Sequence, residues 1–250
     1  MSRKKTAIIT GASGHLGSAL SRSFHNAGFQ LILLCRNKRD ISRELLSEDG
    51  EIPLIFEADL SSPKQIEEVF GSISSRGIPA DVLVNNAGLQ GLKPLGELTA
   101  EDWDNMMAVN LRAPHLCTRF FSTASAPEDY PEGRSIVNIA SIEAENPAVN
   151  HAHYDASKAG LIQYSRASAL ELGPAGIRVN CISPGLIDRP GLEDTWPEGV
   201  ARYISASPLS RLVRPEEVAD TAVFLCSSAA SGITGVNLRV DTGIGATTGY

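Results

Sequence analysis

Two hydrophobic rhythms alternate along this chain. Short apolar runs rich in branched residues, bounded by glycine or polar positions, fall at 7–10, 29–35, 52–56, 81–84, 134–140, 178–182 and 236–240, and each has the length of a buried strand. Between them, apolar positions at helical spacing predict helices. One runs from Ser18 through Phe24 to a stop at Gly28, and one from Pro63 to Ser74 with Ser61 or Ser62 as its cap. A long pattern covers 101–124, another covers about 152–172 and ends at Gly173-Pro174, and a last one opens at Pro215 and reaches Cys226. Residues 125–133 read as a polar, proline-containing loop. Ser183-Pro184-Gly185 is expected to break the sixth strand. Residues 186–214 carry no sheet signal and are punctuated by Pro190, Gly191, Pro197, Gly199 and Pro208, which predicts a mobile lid over a pocket.

Strand and helix alternate through most of the length, so the expected fold class is α/β: a doubly wound, mostly parallel sheet of seven strands with helices on both faces. No internal repeat, low-complexity tract or linker divides it. With 250 residues the chain can bury one large core, and a single domain over 1–250 is expected. The formal net charge of −7 argues against a nucleic-acid surface and against an anionic membrane face, but helix ends still allow a small anionic cofactor. Cys35, Cys117, Cys181 and Cys226 form no C-x-x-C pair, so neither zinc nor a redox motif is suggested. The apolar run at the N-terminus, Ala7-Ile8-Ile9, is too short for a signal peptide or a span. A cytoplasmic, reduced protein is the expectation.

The chemistry-bearing stretch is His153-Tyr154-Asp155-Ala156-Ser157-Lys158, with Ser141 upstream. On a helix, Tyr154 and Lys158 project from one face, one turn apart. A free tyrosine has a pKa of about 10, and an adjacent ammonium favours its phenolate. Bringing it to neutrality takes roughly three pH units, or about 4 kcal/mol. Such a tyrosine exchanges a proton with an alcohol or carbonyl oxygen. Taken alone, the pair also fits a buried aromatic beside a solvated lysine. Further up the chain, Gly11-Ala12-Ser13-Gly14-His15-Leu16-Gly17 sits between a strand and a helix, where a dinucleotide fingerprint belongs; an unliganded glycine turn is the alternative. Arg36, with Lys38 and Arg39 nearby, stands at the end of the second strand, where an acidic residue would bind the ribose 2′-hydroxyl of NAD. A cationic cluster there fits a 2′-phosphate, so NADP is favoured over NAD, the alternative being a solvated basic loop. Asn85-Asn86-Ala87-Gly88 closes the fourth strand with small and amide residues, as a cofactor crevice or a plain turn does. Asn110 is a polar residue inside a helix, which is either hydrogen-bonded core or the holder of a water at a local irregularity. Ser141 is either a strand cap or a donor to a substrate oxygen. His151 and His153 are read as solvated or packing residues, and no metal site is expected.

Taken together, Thr10-Gly11…Gly17, Asp59-Leu60, Asn85-Asn86-Ala87-Gly88, Asn110, Ser141, Tyr154…Lys158, Asn180…Ser183-Pro184-Gly185 and Val240-Asp241 resemble the short-chain dehydrogenase/reductase family in its single-domain form. The resemblance runs from Thr6 to about Gly245 and implies a Rossmann-type fold. It implies Tyr154 as general acid in reduction and base in oxidation, Lys158 lowering its pKa and binding the nicotinamide ribose, Ser141 orienting the carbonyl, and Asn110 holding a relay water. It also implies cofactor contacts from Gly11, Ser13, Gly14, Leu16 and Gly17 at the pyrophosphate, from Asp59 and Leu60 at the adenine, from Asn86 at its ribose, and from Ile187 at the carboxamide. A homotetramer, built partly through the two long helices and the last strand, is implied as well.

Three positions depart from the family pattern: His15 stands where a glycine is usual, Arg189 where a threonine is common, and Asp241-Thr242-Gly243 replaces Asp-Gly-Gly. The expected function is NADP-dependent hydride transfer between nicotinamide and a small carbonyl or secondary alcohol. The alternatives are an NAD-dependent dehydrogenase of a sugar, polyol or cyclic diol, and a catalytically silent, NADP-binding regulatory protein. Leu186, Leu192, Trp196, Val200 and Tyr203 suggest a partly apolar pocket, and Glu143 and Glu145 are expected to border it and disfavour acidic substrates.

Overall fold

The computed structural model describes residues 3–41, 52–124 and 133–246, so the predicted loop at 125–133 lies almost wholly outside the described residues. In chain order the elements are β1 (Thr6–Thr10), α1 (His15–Asn26), β2 (Gln30–Cys35), β3 (Leu54–Glu57), α2 (Pro63–Ser75), β4 (Val82–Asn85), α3 (Ala100–Met107), α4 (Ala113–Thr123), β5 (Arg134–Ile139), α5 (Ala152–Leu172), β6 (Ile177–Pro184), α6 (Leu192–Thr195), α7 (Pro197–Ala206), α8 (Pro215–Cys226) and β7 (Asn237–Val240). The strands form one seven-stranded parallel sheet in the order β3-β2-β1-β4-β5-β6-β7. The fold is the expected Rossmann-type doubly wound sheet.

Alternating side chains feed two cores. Ala7, Ile9, Leu31, Leu33, Val82 and Val84 pack on one face with Leu20 and Phe24 of α1 and Val218, Ala222 and Leu225 of α8. Ile8, Ile32, Leu34, Leu83 and Ile136 pack on the other with Ile66 and Phe70 of α2 and Cys117 and Phe121 of α4. Both faces of the strands are therefore buried, which is why the sequence shows continuous apolar runs instead of in–out alternation. Each large side chain so buried contributes about 1.5–3 kcal/mol. Local signals set the helix starts. Ser62 accepts from the Gln65 N–H, with Pro63 at the first helical position, and Thr99 and Asp102 cap α3 reciprocally.

Three expectations need correction. The long helix over 101–124 is interrupted by a π-helical turn at Ala108–Arg112, between α3 and α4. The sixth strand continues through Ser183 and Pro184, which pair with Arg239 and Val240 of β7. Pairing with β5 ends at Ile182, so Pro184 extends β6 where only one neighbour remains and no N–H is owed to the other side. Residues 186–214 hold the short helices α6 and α7, and Ile187 and Val213 form a parallel bridge where no sheet pairing was expected. Leu192, Val200 and Tyr203 are buried there, and the Tyr203 hydroxyl donates to the Asp241 carbonyl at 2.7 Å. Among the described residues, no helix is long and apolar enough to cross a membrane.

The strand order reverses between β1 and β4, and the turns leaving their C-terminal ends face each other across a crevice. The turn after β1 is tight. Gly11 has φ +65°, the Gly14 N–H returns to the Gly11 carbonyl at 3.1 Å, and a Cβ on Gly17 would lie 2.1 Å from that same oxygen. Gly17→Ala is accordingly expected to lower unfolding free energy by about 1–3 kcal/mol or more, measured by urea denaturation. Gly28→Ala would strain only its own backbone (φ +85°), since nothing lies within 4 Å of the added carbon.

Candidate active site

The crevice is a cavity of about 640 Å³, lined by Gly11, Ser13, Gly14, Leu16, Gly17, Arg36, Asp59, Leu60 and Asn86, all of which the sequence nominated. Leu34, Cys35, Ala58, Ser61, Gln90, Asn105 and Val109 line it too and were missed; most are apolar or small residues whose placement depends on the sheet's twist. Thr10 and Asn86 hold its two walls together. The Thr10 hydroxyl oxygen accepts from the Asn86 and Ala87 N–H groups, both at 3.0 Å, and the Asn86 amide donates to the Thr10 and Gly11 carbonyls at 2.9 and 3.2 Å. Helix α1 opens into the cavity with Gly14 as its N-cap, no side-chain cap and no acidic residue in its first turn. Its first N–H groups are left for an anion.

Arg36 is exposed at the far end of the cavity, beyond Cys35. Asp59 lies close enough for Arg36 to contribute to holding its carboxyl below the usual range, although hydrogen bonds from Ser61 are the larger cause. His15 reaches the other way: its Nε2 lies 2.9 Å from the Asp188 carbonyl oxygen, linking the glycine turn to the segment after Ile187. Ile187 is not part of the cavity lining and instead packs against the core beneath α1 and α8.

The cavity meets the second group of nominated residues at Gly88. A carbon placed on Gly88 would lie 3.4 Å from Asn110 Oδ1 and 3.5 Å from Lys158 Nζ. Asn110 sits in the π-helical turn and is fully buried. It accepts from the Leu89 N–H at 2.7 Å and donates to the Leu89 carbonyl and to Ser157 Oγ. Each of the two readings of this residue holds in part: it is hydrogen-bonded core, and it sits at a local irregularity. Lys158 is buried and donates to the Ile139 carbonyl at 2.9 Å. Burial pushes its ammonium down to about 8. Ser141, at the end of β5, is buried, and its Oγ accepts from the Glu143 N–H.

At Tyr154 desolvation outweighs the neighbouring lysine. The tyrosine pKa is pushed up to about 12, chiefly by burial, and Glu143 and Asp155 add to the rise; only a hydrogen bond with Ser141 pulls it down. Lys158 Nζ is 5.7 Å from the Tyr154 ring centroid and turned to the Ile139 carbonyl, so desolvation and two nearby carboxylates decide the direction. The reading of His151 and His153 as solvated or packing groups also missed a contact. Both are buried, and His151 Nδ1 lies 2.7 Å from Glu143 Oε2. Glu145 instead pairs with Arg239 and accepts from Asn237.

A dinucleotide fits this donor set: a tight glycine-rich turn, uncapped helix N–H groups, a cation at the adenine end, and a buried lysine where the cavity ends. Comparison with known proteins agrees. The family model described as enoyl-(acyl carrier protein) reductase matches residues 11–245. L-xylulose reductase of Bos taurus is 31% identical over 245 residues, covering 97% of each chain. D-xylose 1-dehydrogenase of Caulobacter vibrioides is 34% identical over 244 residues, covering 96% of this chain and 95% of its own. The structure of L-sorbose reductase from Gluconobacter frateurii, complexed with NADPH and L-sorbose, superposes with a TM-score of 0.90 at 30% identity, covering 98% of each chain. This chain belongs to the short-chain dehydrogenase/reductase family. It is an NAD(P)-dependent oxidoreductase acting on alcohol and carbonyl groups.

The buried Lys158 makes a pH-dependent contribution that can be isolated. With a folded pKa of about 8 against 10.5 unfolded, the unfolded chain binds the extra proton between those values, so this group's cost is largest below pH 8 and is relieved as pH rises toward 10.5. Lys158→Met should therefore raise stability at pH 7 by up to roughly 3 kcal/mol, less whatever is lost at the Ile139 carbonyl. That gain over wild type should shrink between pH 8 and 10.5, as read from paired urea titrations.

Proposed function

We propose that the chain is an NADP-dependent reductase of small ketones, with Tyr154 as the general acid. The observation that carries the cofactor preference is Arg36, the cationic side chain lining the cavity at the end of β2, followed by Lys38 and Arg39. A guanidinium there suits a 2′-phosphate, to which it can donate two parallel hydrogen bonds. When bound, the nicotinamide supplies the hydride.

The chain's own groups handle the proton. Burial keeps Tyr154 protonated through the neutral range, so it serves as a donor. An alkoxide forming beside it is a stronger base than phenolate and draws the proton across. Ser141 donates to the same oxygen and orients the carbonyl. Lys158 and Asn110, which flank Gly88 together, position the ribose end and pass a proton toward solvent. The reading includes Gly11, Ser13, Gly14, Leu16, Gly17, Asp59, Leu60 and Asn86 as cofactor contacts, residues 1–250 as one domain, and a homotetramer by family resemblance. The names of the relatives favour sugars and polyols in the substrate panel.

NADPH consumption against ketones, keto-esters, diketones, cyclic enones and ketoses tests the reading, with NADH in parallel. Turnover with NADPH should fall at least about a hundredfold in Tyr154→Phe. Turnover that survives this change removes Tyr154 as the acid. Arg36→Ala should raise the KM for NADPH roughly tenfold to a hundredfold while leaving that for NADH nearly unchanged. Preference for NADH in the wild type would overturn the role given to Arg36 and favour the dehydrogenase alternative.

A further inference from the structure

Beside Tyr154 lies a cluster to which the proposed reaction assigns no step. Glu143, His151 and Asp155 each offer a ligand atom, and these atoms lie within 4.8 Å of one another. Two segments bring them together: the loop leaving β5 carries Glu143, and His151 and Asp155 stand one turn apart at the start of α5. His151 and Asp155 are buried, with 8% and 9% of their surfaces exposed. His151 Nδ1 is 2.7 Å from Glu143 Oε2, and Asp155 Oδ2 accepts from the Ala148 N–H at 3.2 Å. The remaining oxygen, Asp155 Oδ1, is buried and accepts from no N–H or hydroxyl donor among the described residues.

Two carboxylates this close, one buried and one half-buried, repel each other, and burial raises the pKa of both Glu143 and Asp155. Such a pair is held by positive charge near its oxygens: a shared proton, a protonated imidazole or a metal cation. The convergence of an imidazole nitrogen with two carboxylates, one of which keeps an oxygen without a donor, is the donor set of a borderline divalent cation. We propose that Glu143, His151 and Asp155 bind one divalent cation, of the Mn²⁺ or Zn²⁺ type, that clamps the loop after Ser141 to the start of α5. The site is separate from the cofactor cavity and does not depend on the reductase reading.

The test uses the full chain, freed of metal with a chelator and titrated with Mn²⁺ and with Zn²⁺ by calorimetry. Saturable binding of one ion per chain below millimolar concentration is expected. Glu143→Gln and Asp155→Asn should each weaken it at least about tenfold. Glu145→Gln, whose carboxylate is engaged by Arg239 and Asn237, should leave it unchanged. A measurement on the wild type guards against variants that fail to fold. With labelled histidines, Mn²⁺ should broaden the ring signals of His151 and His153 first and leave those of His25 and His115 sharp. Absence of saturable binding, binding that neither variant weakens, or broadening centred on other histidines would each overturn the proposal. The pair is then held by a proton, on His151 or shared between Glu143 and Asp155.

Discussion

The structure depends on a clasp between two strands that are neighbours in space and distant in sequence. Where the strand order turns back on itself, β1 and β4 lie side by side and their following turns diverge. Thr10 and Asn86 tie those turns together through backbone and side-chain hydrogen bonds. Without that tie the glycine turn would have no fixed wall opposite it, and the uncapped start of α1 would face a gap of indefinite width. Everything proposed for the dinucleotide rests on this local rigidity, because backbone donors can cradle an anion only when held in place beforehand.

The second constraint is desolvation. Lys158 and Asn110 are buried at the end of the cavity, and Tyr154 is partly buried beside them. Burial moves the lysine down and the tyrosine up, so two side chains of nearly equal ordinary proton affinity are driven apart: the tyrosine holds its proton more tightly and the lysine less. The carboxylates of Glu143 and Asp155 strengthen the upward shift at Tyr154. The proton inventory of the site is thus set by its whole surroundings more than by the tyrosine–lysine pair.

Much of this was legible beforehand. Strand and helix alternation, the helix caps at Ser62 and Pro63, and the order of the short motifs are local properties, and they led to the sheet, its class and most of the cavity lining. What escaped was non-local. Pro184 looks like a strand breaker until β7 is seen to be the only neighbour at that height. Residues 186–214 look structureless because their helices are short and begin at proline or glycine, while the packing that holds them comes from Tyr203 against Asp241. The contact of Glu143 with His151 is set by the fold of a loop that has no periodicity to read. The direction of the Tyr154 shift follows mainly from burial, which the tyrosine–lysine spacing does not reveal.

The π-helical turn at Ala108–Arg112 has an influence beyond Asn110. By carrying an extra residue within one turn, it resets the angular phase between α3 and α4, much as a slipped tooth changes the timing of two gears on one shaft. Upstream it leaves Asn110 facing inward, and downstream it aims Cys117 and Phe121 at the sheet. Deleting a single codon there would make a more regular helix and rotate every later side chain by about 100°. The helix would gain a conventional hydrogen-bond ladder, and both the polar interior and the apolar face would lose their alignment.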